Sequence, residues 1–198
     1  MPVAKPSAPD PAVIGDRIRS AAAALLALEQ LTPQIEAACR LLEATLSRGG
    51  KVLTAGNGGS AAEAMHMAEE LTGRFRNNRR SLPGLALCAD GTALTCIGND
   101  FGFAAVFARQ IEGLGTPGDL LVLFSTSGRA LNLQRAAAAA RERGLAVLTL
   151  LGRDGGALAG HADVELLVPG NATERIQEAH LFLVHLLLEH VETMFNPL

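Results

Sequence analysis

The stretch KVLTAGNGGSAAEAMHMAEEL, residues 51–71, decides the fold. It opens with an apolar run at 51–55, turns through a glycine-rich loop at 56–60 and continues into a helical pattern. The same order of apolar run, polar loop and helical pattern recurs along the rest of the chain. Strands are predicted at 51–55, 84–88, 119–124, 145–150 and 164–168, and helices near 61–72, 92–97, 103–113, 130–143 and 173–194.

Each predicted strand is a continuous apolar run, which is typical of parallel strands that are buried on both faces. Parallel strands that alternate with helices are joined by right-handed crossovers and form a doubly wound sheet between two helical layers. The expected fold is therefore α/β, a three-layer αβα arrangement of flavodoxin-like type with about five parallel strands. In such a sheet, ligands bind at the carboxyl ends of the strands near the switch in strand order.

Two further helices are predicted before the sheet, at 12–30 and 33–48. Thr32 is expected to cap the second helix, with Pro33 at its first position. The first helix is apolar over much of its surface, which favours packing against a partner subunit. We therefore expect a flexible tail at 1–11 and a single domain at 12–198, whose helices at 12–48 serve in oligomerisation.

The composition excludes several classes of function. The 198 residues carry a formal charge of −3 and include seven Phe but no Trp or Tyr, which argues against a nucleic-acid-binding surface. Cys39, Cys88 and Cys96 show no paired spacing, so a cytoplasmic protein is expected. The first residues lack the pattern of a signal peptide, and no apolar run approaches the roughly 20 residues of a membrane span. The arginines of segment 74–80 indicate a solvated loop.

Two polar loops follow predicted strands. In the first, Gly56-Asn57-Gly58-Gly59-Ser60, glycines let the backbone approach a ligand closely, and the alternative is an ordinary tight turn. Ser60 and Glu63 fit a capping box, which predicts a helix from Ala61 whose free N–H groups favour an anion. In the second loop, Ser125-Thr126-Ser127-Gly128, hydroxyls and successive N–H groups form a phosphate nest, unless these groups only satisfy one another.

Two helices carry groups able to do chemistry. His66 and Glu70 are spaced i and i+4, so both face one side of a helix, whereas Glu69 is expected to point elsewhere. The pair is either a surface ion pair, a zinc-binding pair, or a site in which Glu70 acts as a general base. The last helix carries Gln177, His180 and His185, and its periodicity alone favours Gln177 acting together with His180.

Several of these segments, taken in order, resemble one family. Residues 55–74, AGNGGSAAEAMHMAEELTGR, resemble the sugar isomerase (SIS) domain of bacterial phosphoheptose isomerases. Similar matches occur at 97–102, IGNDFG, at 125–128, STSG, and at 175–178, RIQE. The resemblance implies an aldose–ketose isomerase that converts sedoheptulose 7-phosphate to D-glycero-D-manno-heptose 7-phosphate, a precursor of lipopolysaccharide or other surface glycans. It also implies a homotetramer with active sites at subunit interfaces, and one zinc ion per subunit.

The resemblance also assigns roles to individual residues. Glu70 and His185 would be the catalytic acid/base pair. The zinc ligands would be His66, Glu70, Gln177 and His185. Contacts to the sugar phosphate would come from Asn57, Gly58, Gly59, Ser60, Glu70, Asn99, Asp100, Ser125, Thr126, Ser127 and Gln177. Arg74 and Glu174 also occupy positions that look functional in the family.

The chain departs from the family pattern at two places. Ala130 stands where some members have Ser, so one hydrogen bond to the phosphate is missing or replaced there. The segment 170–173 is plain where some members have a longer loop with Tyr.

Two rival functions come from the same fold. A close relative of these isomerases is a tetrameric adaptor that binds the bacterial replication initiator protein. It lacks the equivalents of Glu70 and His185, both of which this chain has, so the enzyme is favoured. Regulatory SIS modules that only sense a sugar phosphate usually accompany a DNA-binding domain, for which we expect no room in this chain.

Overall fold

A computed structural model describes residues 10–195 as one αβα sandwich around a five-stranded sheet. The strands are β1 (Val52–Gly56), β2 (Gly84–Ala86), β3 (Leu120–Ser125), β4 (Ala146–Gly152) and β5 (Val164–Val168). The helices are α1 (Pro11–Leu26), α2 (Thr32–Ser47), α3 (Gly59–Thr72), α4 (Gly91–Phe101), α5 (Ala108–Leu114), α6 (Leu131–Glu142) and α7 (Thr173–Met194). Short 3-10 helices occupy Ala27–Leu31, Phe103–Ala105 and Gly156–Leu158.

The sheet confirms the predicted fold class. Its order is β2-β1-β3-β4-β5, and all four pairings are parallel. The order switches between β1 and β3, which are hydrogen-bonded neighbours, with Gly56 opposite Phe124 at their carboxyl ends. The two polar loops predicted from the sequence leave the sheet at these two ends, so the fold places both at the switch point.

Each face of the sheet carries its own apolar core. On one face, α2, α3 and α7 cover strand residues such as Val52 and Leu120. On the other face, α5 and α6 cover the alternate residues Leu53 and Leu121. Burial on both faces explains why the strands are continuous apolar runs. Among the described residues, no helix is both long and apolar enough to span a membrane.

Three predicted helix starts are wrong. The helix predicted at 103–113 is divided into the 3-10 helix at Phe103–Ala105 and α5, which begins at Ala108 after Phe107 as its N-cap. Thr32 is itself the first residue of α2, and its hydroxyl donates to the carbonyl of Glu29 at 2.6 Å instead of capping the new helix. The chain reaches Thr32 through the 3-10 helix at Ala27–Leu31, so the first predicted helix ends at Leu26. The capping box is also wrong, because α3 begins at Gly59 and contains Ser60. Gly58, with a φ of +57°, makes the turn that starts α3 early.

The N-terminal helix packs on the domain only in part. Pro11 begins α1, and Asp10 accepts a hydrogen bond from the backbone N–H of Ala12 at 2.9 Å. Residues 10 and 11 of the predicted tail therefore belong to the start of α1, and the rest of that prediction, residues 1–9, lies outside the described residues. None of the residues of α1 is buried, and its large apolar side chains Val13, Ile14, Ile18 and Leu26 are exposed. The exposed apolar surface is where the sequence predicted a subunit contact.

Candidate active site

The glycine loop after β1 and the serine loop after β3 are joined through two amides. Asn57 Nδ2 donates to Asn132 Oδ1 at 3.0 Å, and Asn132 Nδ2 donates back to Asn57 Oδ1 at 2.9 Å. Asn132 lies in the first turn of α6 and is buried. Sequence reasoning did not single it out, because nothing in the pattern of α6 distinguishes it from an ordinary helical residue.

The serine loop shows one of the two alternatives that the sequence left open, and the phosphate nest stays a prediction. Ser125 Oγ accepts a hydrogen bond from the backbone N–H of Gly128 at 2.9 Å, so this hydroxyl does support the turn itself. Thr126 and Ser127 are half-buried beside it, before the first turn of α6. Ala130 is the N-cap residue of α6, and no side chain caps this helix. The uncapped N–H groups at the start of α6 point toward the loop and are able to bind an anion.

Helix α3 brings together His66, a predicted zinc ligand, and Glu70, the predicted base. Nε2 of His66 lies 3.2 Å from Oε1 of Glu70, and both side chains are partly exposed. Glu69 does not point elsewhere: ligand atoms of His66, Glu69 and Glu70 all lie within 4.8 Å of one another. Sequence reasoning missed Glu69 because a helical wheel separates neighbouring residues, whereas a long carboxylate side chain reaches back across the surface.

Helix α7 settles which histidine faces this group. The ring centroid of His185 lies 5.2 Å from that of His66 and 5.7 Å from that of Phe75. His180, the partner favoured by periodicity, is fully buried, and its Nε2 donates to the carbonyl of Leu151 at 3.2 Å. His180 lies in the core between Leu151 of β4 and Glu63 of α3, whereas His185 lies beside His66, so the histidine that periodicity favoured is not the one next to the His66 and Glu70 pair.

His180 forms a second, buried polar contact behind the site. Its Nδ1 lies 3.6 Å from Oε2 of Glu63, and neither atom has a hydrogen-bond partner. Glu63 is the residue that the sequence assigned to the capping box; in the structure it turns inward and is 7 % exposed. Glu63 also lines the cavity beside Gln177 that is described below, so the pair lies directly behind that cavity.

Gln177 lies on α7 beside the start of α3, at one end of the groove between these two helices, and apart from His66. A side chain on Gly59 would collide with the amide group of Gln177, so the absence of a Cβ at Gly59 permits this close approach. Gly59 precedes His66 by seven residues, a rise of about 10 Å. The four predicted metal ligands therefore form two groups in this chain: His66, Glu70 and His185 together, and Gln177 against Gly59. A cavity of about 320 Å³ beside Gln177 is lined also by Gly59, Glu63, Glu174, Glu178 and Leu181.

The remaining predicted contacts lie nearer the surface or in the core. Asn99 and Asp100 are exposed at the end of α4, where Asn99 Nδ2 donates to Asp100 Oδ1 at 2.8 Å. Ser60 is buried in the first turn of α3, and its backbone N–H donates to the carbonyl of Asn57 at 3.1 Å. Arg74 is exposed, as expected for a solvated loop, but Arg79 in the same segment is buried.

Comparisons with known proteins identify the family. Residues 18–152 match the SIS domain family. A phosphoheptose isomerase from Helicobacter hepaticus is 48% identical over 163 residues, which are 82% of this chain and 83% of that protein. The structure of a phosphoheptose isomerase from Francisella tularensis superposes with a TM-score of 0.87 at 33% identity, covering 94% of this chain and 100% of the other. That of the enzyme from Neisseria gonorrhoeae gives a TM-score of 0.81 at 43% identity, covering 92% and 96%.

The fold and these matches define the class of protein: the chain belongs to the SIS domain family. The isomerase from Helicobacter hepaticus is identical to this chain at nearly half of the aligned residues, over most of both chains, and this narrows the assignment within the family. Within that family, it belongs to the phosphoheptose isomerases.

Proposed function

We propose that the protein is an aldose–ketose isomerase that converts sedoheptulose 7-phosphate to D-glycero-D-manno-heptose 7-phosphate. The observation that carries the proposal is the contact of the Glu70 carboxylate with His66, beside His185, in the groove between α3 and α7. Relatives with the name of this enzyme align over most of the chain. The adaptor alternative gains no support, because both groups that the adaptor lacks are present here.

The reaction moves a proton between C1 and C2 of the open-chain sugar through a cis-enediolate. Glu70 takes the proton from one carbon and returns it to the other, acting as general base and then acid. His185, on the opposite helix, moves the second proton between the oxygens on C1 and C2, so that the hydroxyl of one carbon becomes its carbonyl and the carbonyl of the other becomes a hydroxyl. The side chain of Glu70 is 17 % exposed, which leaves it open to a substrate while removing most of its contact with water.

The loops at the switch point hold the other end of the substrate. Thr126, Ser127 and the free N–H groups at the start of α6 bind the phosphate, and Gly58 and Gly59 let the substrate approach the backbone. The paired amides of Asn57 and Asn132 keep the two loops at a fixed distance. Binding energy at the phosphate is in this way used to position C1 and C2 at Glu70.

Zinc fits part of the predicted ligand set. His66, Glu70 and His185 offer nitrogen and oxygen donors of the kind that zinc prefers, on side chains that already face one another. When bound, zinc would polarise the carbonyl and hydroxyl oxygens of the sugar. Gln177 does not reach this group within one chain. We propose that a Gln177 from a second copy completes the set.

Such completion requires at least a second copy of the chain, and the assembly that we propose is a homotetramer with shared sites. The proposal is supported by the exposed apolar side chains of α1 and by Phe182, which is exposed on α7. Phe182 lies beside an apolar surface pocket of about 330 Å³ that is lined by Leu25, Leu26, Ile35 and Leu186. The proposed cytoplasmic location rests on Cys39, Cys88 and Cys96, which are all free.

The test is an isomerase assay with a matched pair of variants. Purified protein is incubated with sedoheptulose 7-phosphate, and formation of the aldose is followed with and without a chelator. Glu70→Gln removes the base without changing its size, so the rate should fall by about 10³-fold or more. Glu112→Gln, an exposed carboxylate on α5 at the opposite face of the sheet, should change the rate by less than about threefold. Comparable losses in both variants, or an active Glu70→Gln protein, would remove Glu70 from the proposed role.

A further inference from the structure

Arg79 is a buried cation in a segment of exposed ones. Among the arginines of segment 74–80, all of which the structure describes, Arg79 alone is buried, with 1 % of its side chain exposed. Long charged side chains are almost never buried without partners, so the position needs an explanation. The sequence offered none, because Arg79 looks the same as its exposed neighbours.

The guanidinium group of Arg79 holds the end of α3. Its Nη2 donates to the carbonyl of Glu70 at 2.7 Å, and its Nη1 donates to the carbonyls of Leu71 at 2.9 Å and Arg80 at 3.0 Å. Helix α3 ends at Thr72, so the carbonyls of Glu70 and Leu71 belong to the last turn and lack helical partners. Arg79 therefore satisfies the backbone of the turn that carries the proposed base.

This turn is a difficult place for a carboxylate. The last turn of a helix frays readily, and the negative end of the helix dipole disfavours anions. Glu69 and Glu70 both lie there. The positive charge of Arg79 offsets the dipole and the two carboxylates, and its fork of donors keeps the turn helical.

The same guanidinium connects α3 to α7. Its Nε donates to Oε1 of Glu192 at 3.1 Å, and Oε2 of Glu192 accepts from the backbone N–H of Asn77 at 2.8 Å. Glu192 follows His185 by seven residues, two turns further along the same face of α7. Between these anchors, the ring of Phe75 stacks on that of His185 with centroids 5.7 Å apart. The segment 73–82 thus spans the groove and contacts both helices that carry the proposed acid/base pair.

We infer that Arg79 is a positioning residue for the isomerase reaction. It sets the distance and orientation of Glu70 relative to His185, by binding the last turn of α3 and the Glu192 carboxylate of α7 at once. The inference rests on the proposed function, in which Glu70 and His185 exchange the proton. Arg79 itself does not touch the reacting atoms.

The kinetic test compares two arginines of the same segment. Arg79→Lys keeps the positive charge but loses the forked set of guanidinium donors, so kcat should fall by about tenfold or more. KM should change by less than about twofold, because the phosphate of the substrate binds at a different loop. Arg76→Lys is the control: Arg76 pairs with Glu189 of α7, but both side chains are about half exposed, and kcat should stay within about twofold. Equal kcat values in the two variants would overturn the inference.

A second variant covers the case in which Arg79→Lys fails to fold. Glu192→Gln preserves the carbonyl contacts of Arg79 and weakens only the link to α7. It should lower kcat by about threefold to tenfold with a circular dichroism spectrum unchanged from the parent protein. A folded Glu192→Gln protein with parental kcat would contradict the proposed link between the helices.

A spectroscopic measurement separates this inference from the proposed reaction. The ring resonances of the five histidines are compared between the parent protein and each variant by NMR. Arg79→Lys, or Glu192→Gln where it alone folds, should shift the signals of His66 and His185 and leave that of His161, which lies beside Arg141, unchanged. If the parent protein does not isomerise the sugar phosphate but these shifts occur, the proposed function fails and the positioning role stands. Unchanged His66 and His185 signals would refute the positioning role whatever the activity.

Discussion

Replacement of Gly59 by Ala should separate activity from stability. An added Cβ would meet the side chain of Gln177, whose Cδ and Oε1 would lie at 3.0 and 3.1 Å and whose Nε2 would lie closer still. All three of these nearest atoms belong to the end of one flexible side chain, and none to the backbone. The substitution therefore leaves room for the fold to adjust while forcing the amide of Gln177 out of its place.

The effects on stability are of similar size and opposite sign. Ala is favoured over Gly within a helix by roughly 0.5–1 kcal/mol, and Gly59 is the first residue of α3. Displacing Gln177 from its rotamer costs about 0.5–1.5 kcal/mol. The free energy of unfolding should therefore change by less than about 1 kcal/mol, as measured by urea unfolding followed by circular dichroism. Gly58→Ala is the contrast: its φ of +57° is strained for Ala, although open space surrounds it, and it should cost about 1–2 kcal/mol.

The effect on activity should be large and should depend on Gln177. We expect kcat/KM for sedoheptulose 7-phosphate to fall by about tenfold, the equivalent of about 1.4 kcal/mol in the transition state. If the loss acts through the displaced amide, Gln177→Ala and the double variant Gly59→Ala/Gln177→Ala should have equal activity. Additive losses in the double variant, or a Gly59→Ala protein with full activity, would refute this account of the contact.

Two further predictions concern buried charges. His180→Ala should lower the free energy of unfolding by about 3–5 kcal/mol, because it leaves the buried carboxylate of Glu63 without the facing imidazole. His190→Ala is the control: it removes a partly exposed contact with Glu43 and should cost less than about 1 kcal/mol. Equal losses of the two variants in urea unfolding would contradict this prediction. Burial raises the pKa of Asp119, but hydrogen bonds from Lys51 and Thr116 outweigh burial and leave the pKa below its ordinary value. Because the pKa of Asp119 is lower in the folded than in the unfolded state, its contribution to stability is present above the unfolded pKa of about 3.9 and is lost as the pH falls through the folded pKa. The urea midpoint of the parent protein should therefore decline below about pH 4, and that of Asp119→Asn should decline less. Parallel declines would show that Asp119 does not contribute to the pH dependence of stability.

The architecture was predictable from the sequence because the sheet dominates it. A strand that is covered on both faces has to be apolar throughout. Each strand that the sequence predicted is present, with ends that differ from the prediction by at most two residues. The helix starts failed where local chemistry was ambiguous. Thr32 and Ser60 both suit an N-cap, but the 3-10 helix before Thr32 and the turn at Gly58 decided the outcome, and neither is encoded in a short pattern.

The site was predictable only in part, because side-chain direction depends on packing. The i and i+4 spacing of His66 and Glu70 was enough to bring them together. Periodicity favoured His180 over His185, and the family resemblance, not the spacing, pointed to the histidine that lies beside His66. Arg79 and Asn132 were missed because a buried polar residue in a loop or helix carries no local signature.

The groove between α3 and α7 links the stability of the fold to the chemistry of the site. Positions 59, 63, 66 and 70 of α3 lie along one face at helical spacing, and three of them face residues of α7: Gly59 lies against the Gln177 side chain, Glu63 against His180, and His66 against His185. Apolar residues such as Met67 and Leu183 flank this face and fix the two helices in the core. A shift of one helix by a single turn would break all three contacts at once, since each depends on the same register. Such a shift would also leave the buried carboxylate of Glu63 without the facing imidazole of His180, so the register that aligns the groups proposed for catalysis is also the one that keeps this buried pair together.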